Sequence, residues 1–180
     1  MSQRTLSRLA KVFKREQTTF PEAVDPQEAF RRGTSLGQQG DVEGARSAYQ
    51  QAIDSGDAEH APAAGFQLGL LLGQHDDIDG AREAYRQAAN SGHPEYGPMA
   101  ARNLGHLYKR QGRYRQAIAA YQVAIDSGHP DFAPWAMLYL GNVLQLIRYP
   151  ADARASYQCA VDSGHPKAGP LAAAHLADPP

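Results

Sequence analysis

The 180-residue chain has one cysteine, one tryptophan, four lysines and a net charge of only −1 at pH 7. A lone thiol, Cys159, forms no intramolecular disulfide and supplies no multi-cysteine metal pattern, which fits a reducing, cytoplasmic compartment. Near-zero net charge gives no whole-molecule pull toward nucleic acid or anionic lipid. Long apolar runs are missing too. The longest, Ala133–Ile147, is broken by Asn142 and Gln145 and is too short to span a bilayer. The N-terminus has charges but no apolar stretch behind them, so no secretory signal is expected. No stretch shows sustained apolar alternation, so no strands are expected either. The patterns G-x-x-x-x-G-K-[ST], G-x-G-x-x-G and H-E-x-x-H do not occur, and no cofactor is implied.

What the chain does have is glycine and proline, 17 and 12 of them, in placed positions. The organising feature is a 36-residue period. Tyr49, Tyr85, Tyr121 and Tyr157 follow it, as do Gly33, Gly69, Gly105 and Gly141. So do two alanine series, Ala45, Ala81, Ala117, Ala153 and Ala52, Ala88, Ala124, Ala160. Between them run SGDAEHAP (55–62), SGHPEYGP (91–98), SGHPDFAP (127–134) and SGHPKAGP (163–170). A fixed period of this size marks a solenoid, because one unit cannot bury its own apolar face and must stack on its neighbours. Arginine, at 14, far exceeds lysine, and alanine is abundant, a usage that suits a GC-rich bacterial genome.

Each unit reads as two helices. First helices are expected near Pro62–Gln74, Pro98–Gln111 and Pro134–Ile147, with proline at the first helical position, where its missing N–H costs nothing. Second helices are expected near Val42–Ser55, Ile78–Ser91, Tyr114–Ser127 and Pro150–Ser163, each running into a glycine suited to the left-handed residue that closes a helix. The turn between the two carries Gly40 or Gly112 in two units. On the second helix Ala117, Tyr121 and Ala124 share one face; small residues, Gly105 on the first helix among them, are expected to let the two backbones approach, with the tyrosine filling the adjacent space.

The run L-G-x2-Y-x8-A-x3-Y-x2-A at Leu104, Gly105, Tyr108, Ala117, Tyr121 and Ala124 resembles the tetratricopeptide repeat, with Tyr for the usual Phe. Leu36, Leu72 and Leu144 take the place of Tyr108 in the other units. The period is two residues longer than the family's 34, and the SGHP ending is similar to Sel1-like repeats, although the turn lacks their G-x-G insertion. The resemblance implies an all-α fold, a right-handed α-solenoid of helix-turn-helix repeats with four hairpins and a partial fifth. Its units span about 26–61, 62–97, 98–133, 134–169 and 170–178. It also implies a non-enzymatic scaffold or adaptor that binds a peptide or partner protein on a concave groove. Alignment to the family places Phe66, Leu70, Met99, Arg102, Asn103, His106, Lys109, Arg110, Trp135, Leu138, Tyr139, Asn142 and Gln145 on that surface. A basic, polar middle with aromatic flanks suits an extended peptide with acidic side chains or a C-terminal carboxylate. The alternative is an RNA-binding helical array in which Arg31, Arg32, Arg102, Arg110, Arg113 and Arg115 contact phosphates; the acidic body argues against it.

Other motifs have simpler readings. Gly33-Thr34-Ser35-Leu36-Gly37 matches the G-x-S-x-G hydrolase elbow, but no strand precedes it and Gly33 is in register with the packing glycines. Asp76, Asp77 and Asp79 resemble part of a calcium loop, yet His75 and Arg86 stand at its ends, so a solvated turn near a helix N-terminus is expected. His93, His129 and His165 are one repeat apart, too far to share an ion, and read as turn residues. Cys159 reads as a small, partly buried apolar residue.

The two ends depart from the repeat. Residues 1–15 hold Arg4, Arg8, Lys11, Lys14 and Arg15 with no acid, leaving 13 basic and 19 acidic side chains in the rest. At 100° per residue, Leu6, Leu9, Ala10, Val12 and Phe13 face away from those cations. Such a basic amphipathic helix over 1–16, followed by a linker over 17–25, can lie on an anionic membrane, bind an acidic partner, or cover the first repeat. At the other end only Leu171–Ala177 can be helical after Pro170. This leaves an apolar flank near Trp135–Leu146 and Val161 open to a second copy of the chain, a homo-oligomer.

Overall fold

The computed structural model describes residues 24–177, and within that span all regular structure is α-helical. The basic segment 1–16 and nearly all of the linker 17–25 lie outside the described residues. The nine helices of the described span are α1 (Pro26–Gln38), α2 (Val42–Asp54), α3 (His60–Gln74), α4 (Ile78–Ala89), α5 (Tyr96–Arg110), α6 (Tyr114–Asp126), α7 (Phe132–Leu146), α8 (Pro150–Asp162) and α9 (Ala168–Ala177). Each helix packs on the next one or two in sequence and on nothing further along, which makes the chain a solenoid of four hairpins with α9 resting on α7 and α8.

A direct glycine–tyrosine contact, closer than the expected packing of the ring beside the small residues, holds each hairpin together. A Cβ built at Gly33, Gly69, Gly105 or Gly141 would lie 2.6, 2.5, 2.4 or 2.4 Å from the ring of Tyr49, Tyr85, Tyr121 or Tyr157. Only a hydrogen fits there. The two alanine series are at most 2% exposed, so second helices meet first helices through small residues with the tyrosine filling the space beside them.

First helices begin two residues earlier than expected, at His60, Tyr96 and Phe132, which places Pro62, Pro98 and Pro134 at the third helical position. The first four N–H groups of a helix have no intrahelical partner, so proline is tolerated throughout that turn and does not itself fix the start. The linker fixes it. Ser91 Oγ donates to the Ala88 carbonyl at 2.7 Å and accepts the His93 N–H at 3.1 Å, and Gly92 reverses the chain at φ +74°. His93 Nδ1 then accepts the N–H groups of Glu95 and Tyr96, both at 3.1 Å, capping α5. With Nδ1 occupied as an acceptor, the ring proton sits on Nε2, which faces Glu59 of the preceding linker at 3.3 Å. His129 repeats this toward Glu95 at 3.4 Å and His165 toward Asp131 at 3.7 Å. In the first linker Asp57 holds the same position and caps α3 through the Glu59 and His60 N–H groups. The histidines read as turn residues thus cap one helix and touch the repeat before. By the same linker chemistry α9 starts at Ala168, three residues before the expected Leu171, with His165 Nδ1 accepting from Ala168.

The opposite edge is less uniform. A left-handed residue follows α1, α3, α5 and α7, but it is glycine only at Gly40 and Gly112; Asp76 (φ 59°) and Arg148 (φ 65°) take the same conformation. Asp41 and Asp77 cap α2 and α4 by accepting from Gly44 and Gly80 N–H at 2.9 Å, whereas Arg113 and Tyr149 make no side-chain cap. Asp77 also pairs with Arg46 of the previous hairpin. Cys159 is exposed rather than partly buried, because Ala153, Tyr157 and Ala160 take the inner face of α8 and leave it pointing outward with Gln158.

Candidate partner-binding groove

First helices pack directly on one another, α1 on α3, α3 on α5, α5 on α7 and α7 on α9, while second helices make no comparable contact with each other. Closer spacing on one side curves the stack, so the first helices line the inner face. Of the residues expected there, Phe66 and Leu138 are 6% and 3% exposed and belong to the core. Phe66 sits between the rings of Tyr85 and Tyr96, each about 6.0 Å away, because helix α5 closes over it. Leu70, Met99, Arg102, Asn103, His106, Lys109, Trp135, Tyr139 and Asn142 are half-buried, and Arg110 and Gln145 are exposed.

The middle of the face is a network of tyrosine hydroxyls and polar groups. Each buried tyrosine passes its glycine and delivers its hydroxyl to the inner face, where the residue following the glycine is Thr34, Leu70, His106 or Asn142. Tyr49 donates to Thr34 at 3.3 Å, and Tyr121 meets His106 Nδ1 at 3.0 Å. The Tyr157 hydroxyl lies 2.8 Å from Asn142 Oδ1 and 2.9 Å from Gln145 Oε1, so its one proton is shared between two side-chain carbonyls of this face. Leu70 offers nothing to Tyr85, whose hydroxyl instead accepts from Asn103 of the next repeat at 3.5 Å. Burial, then the nearby Arg102 and Lys109 charges, lowers the His106 pKa to about 4. Burial, with Tyr139 alongside, raises that of Tyr121. Both groups are neutral at pH 7, and their contact is a neutral hydrogen bond.

Arg102 lies with its guanidinium 5.2 Å from the Phe132 ring centre and 3.4 Å from Asn103 Oδ1, and its buried Nε has no hydrogen-bond partner. Among the described residues neither Arg102, Lys109 nor Arg110 is in an ion pair. On the far side Trp135 stacks on Tyr139 at 5.7 Å, and Tyr139 and His106 meet edge to face at 4.3 Å. A cavity of about 210 Å³ opens on this face between α3 and α5, walled by Leu70, Gln74, Tyr85, Asn103, His106 and Arg110. Gln74 and the Tyr85 hydroxyl were not among the expected groove residues. Gln74 stands 36 before Arg110, so the register could have found it; Tyr85 was masked by its packing role.

A family model for the tetratricopeptide repeat matches residues 30–101 and again 102–173. The chain belongs to the tetratricopeptide repeat family. Among solved structures, this tetratricopeptide repeat protein is similar to MamA, with a TM-score of 0.63 and 19% identity over 88% of this chain and 86% of that one. A second MamA structure gives 0.51 and 19%, over 79% and 93%. BtubC from P. vanneervenii gives 0.59 and 17%, over 73% of this chain and 59% of that one. No curated protein matches it in sequence. At such identities the likeness concerns the fold, a right-handed α-solenoid. Tetratricopeptide arrays serve in general as protein-interaction scaffolds.

Three further expectations have a definite place. Ser35 lies inside α1, exposed, accepting from Gln39 Nε2 at 3.0 Å, far from any strand-to-helix elbow. The arginines considered for phosphate contact are spread over α1, α5, the α5–α6 turn and α6, and Arg113 is held 5.1 Å from the Tyr108 ring centre. At the C-terminal flank α9 buries Ala172 against Leu138 and Tyr157 but leaves Leu146 and Leu171 half exposed. Among the described residues no helix is long and apolar enough to cross a membrane.

Proposed function

We propose that the chain is a non-enzymatic adaptor whose inner face holds an extended segment of a partner protein by its carboxylates, acidic side chains or a C-terminus. Arg102 carries this reading. A guanidinium partly withdrawn from water, with an unsatisfied Nε and no carboxylate beside it, bears a desolvation cost that a bound anion would offset. Asn103 and Lys109 lie within two helical turns of it, Arg110 one residue further, and all three add donors, while the Trp135–Tyr139 stack offers flat apolar area next to them. His106, neutral and tied to Tyr121, shapes the floor without contributing charge.

The test is affinity capture from native extract with the full chain, followed by mass spectrometry, in parallel with the double variant Arg102→Glu/Lys109→Glu. A specific partner retained by the wild type and lost at least tenfold by the variant supports the inner face as the site. Equal retention by both moves the site elsewhere.

A further inference from the structure

A cleft of about 730 Å³ lies on the linker edge, away from the inner face. Ile53, Ala58, Ala61, Pro62 and Pro94 give it an apolar lining, and Asp57 and Glu59 stand at it as carboxylates. No lysine or arginine is among its lining residues. Between Arg46 and Arg82 there is no lysine or arginine, while Asp54, Asp57 and Glu59 cluster at this edge. Later linkers are less acidic, with Lys167 standing in the fourth where Glu59 stands in the first. An apolar trough with an acidic border fits a short helix that is apolar on one side and basic on the other.

The chain contains such a segment, and the topology delivers it to this edge. Residues 1–15 carry five cations and no acid, with Leu6, Leu9, Val12 and Phe13 on the opposite side. Helices α1 and α2 are both 13 residues long and joined by a tight turn, so the start of α1 at Pro26 lies level with the end of α2 at Asp54. Phe30, one turn into α1, has its ring 6.3 Å from that of His60. Residues 17–25 can reach up to about 30 Å when extended, and a helix over residues 4–15 would be about 18 Å long.

We infer that residues 1–16 dock in this linker-edge cleft of their own chain, with Leu6, Leu9, Val12 and Phe13 against Ile53, Ala58 and Pro62. Arg8, Lys11 and Arg15 then meet Asp54, Asp57 and Glu59. The segment ties the first two hairpins together at the edge where they join and leaves the inner face open.

Hydrogen exchange on the full chain tests this. In the variant Arg8→Glu/Leu9→Asp/Lys11→Glu, the amides of 53–62 and 91–97 should exchange at least fivefold faster than in the wild type, while those of 99–110 do not change. Ala58→Arg, at an exposed loop position, should give the same loss. The protection should also be independent of protein concentration over a tenfold range. Unchanged exchange at 53–62 and 91–97 overturns the inference. So does faster exchange confined to 99–110, which would place the segment in the groove, or protection that grows with concentration, which would assign the cleft to a second copy.

Discussion

The linker edge and the inner face of this solenoid follow opposite rules. At the linker edge the same chemistry returns every 36 residues: a serine back-bonded to the helix just ended, a left-handed glycine, and an Asp or His that caps the next helix. On the inner face the residue after the packing glycine is Thr34, Leu70, His106 or Asn142, a different chemistry each time. The junction between repeats must have one geometry for the stack to propagate, so its residues are constrained by architecture. The face has only to be presented, so its residues are free to differ from unit to unit, and under the proposed function that variation is what a partner would meet. Repetition thus separates what holds the molecule up from what is left free to vary.

Four variants would break or sharpen that division. The largest expected effect comes from His93→Ala, His129→Ala and His165→Ala combined, which removes three helix caps and three contacts between repeats. With a cap worth roughly 1 kcal/mol, urea unfolding should show a loss of about 3 kcal/mol while partner capture by the folded protein persists. Unchanged stability would make the edge ornamental. Gly105→Leu drives a side chain into the Tyr121 ring and should cost about 2 kcal/mol, read from the same unfolding curves.

His106 tests the face. Its folded pKa of about 4 lies below the ordinary 6.5, so between those values the unfolded chain binds more protons. Its contribution is therefore complete above pH 6.5 and lost as pH falls toward 4. Discounted for partial exposure, the loss is about 1–2 kcal/mol, and His106→Gln should flatten that limb of the stability–pH curve. A decline that survives the substitution would show that His106 does not carry that limb. The Asp57 and Asp77 carboxylates, held below 3.8 mainly by the N–H groups of His60 and Gly80, lose their contribution only at still lower pH, so the two windows are distinct. The smallest effect is a gain: Arg148→Gly relieves a left-handed non-glycine residue and should stabilise by roughly 0.5–1 kcal/mol in thermal unfolding, with no effect on capture.

The periodic half of the molecule was readable from the sequence, and the reason is physical. Gly105 and Tyr121 recur because a ring stands 2.4 Å from where a Cβ would be, a constraint that only one residue type satisfies. Helix starts were misplaced by two residues because proline was given the role that His93 and Asp57 perform through side-chain acceptors two or three positions ahead. The left-handed turns at Asp76 and Arg148 were invisible, since a tolerated strain of about 1 kcal/mol leaves no residue signature. On the inner face, alignment named residues of the first helices but could not tell Phe66 and Leu138, closed over by their neighbours, from Trp135 and Arg102, which are not. Cys159 was misread for the converse reason: its neighbours Tyr157 and Ala160 take the buried positions.

The histidine contacts at the linker edge also give the array a direction in which it can grow. Each histidine faces an acid contributed by the unit before it, as His165 faces Asp131. A tandem copy of residues 98–133 inserted in frame would present Asp131 to its own new histidine and to His165 in turn, keeping every such contact. A unit added after the fourth would bring its histidine to Lys167, a cation where an acid is required. Lengthening by duplication is therefore open in the interior of this protein and closed by charge at its last linker.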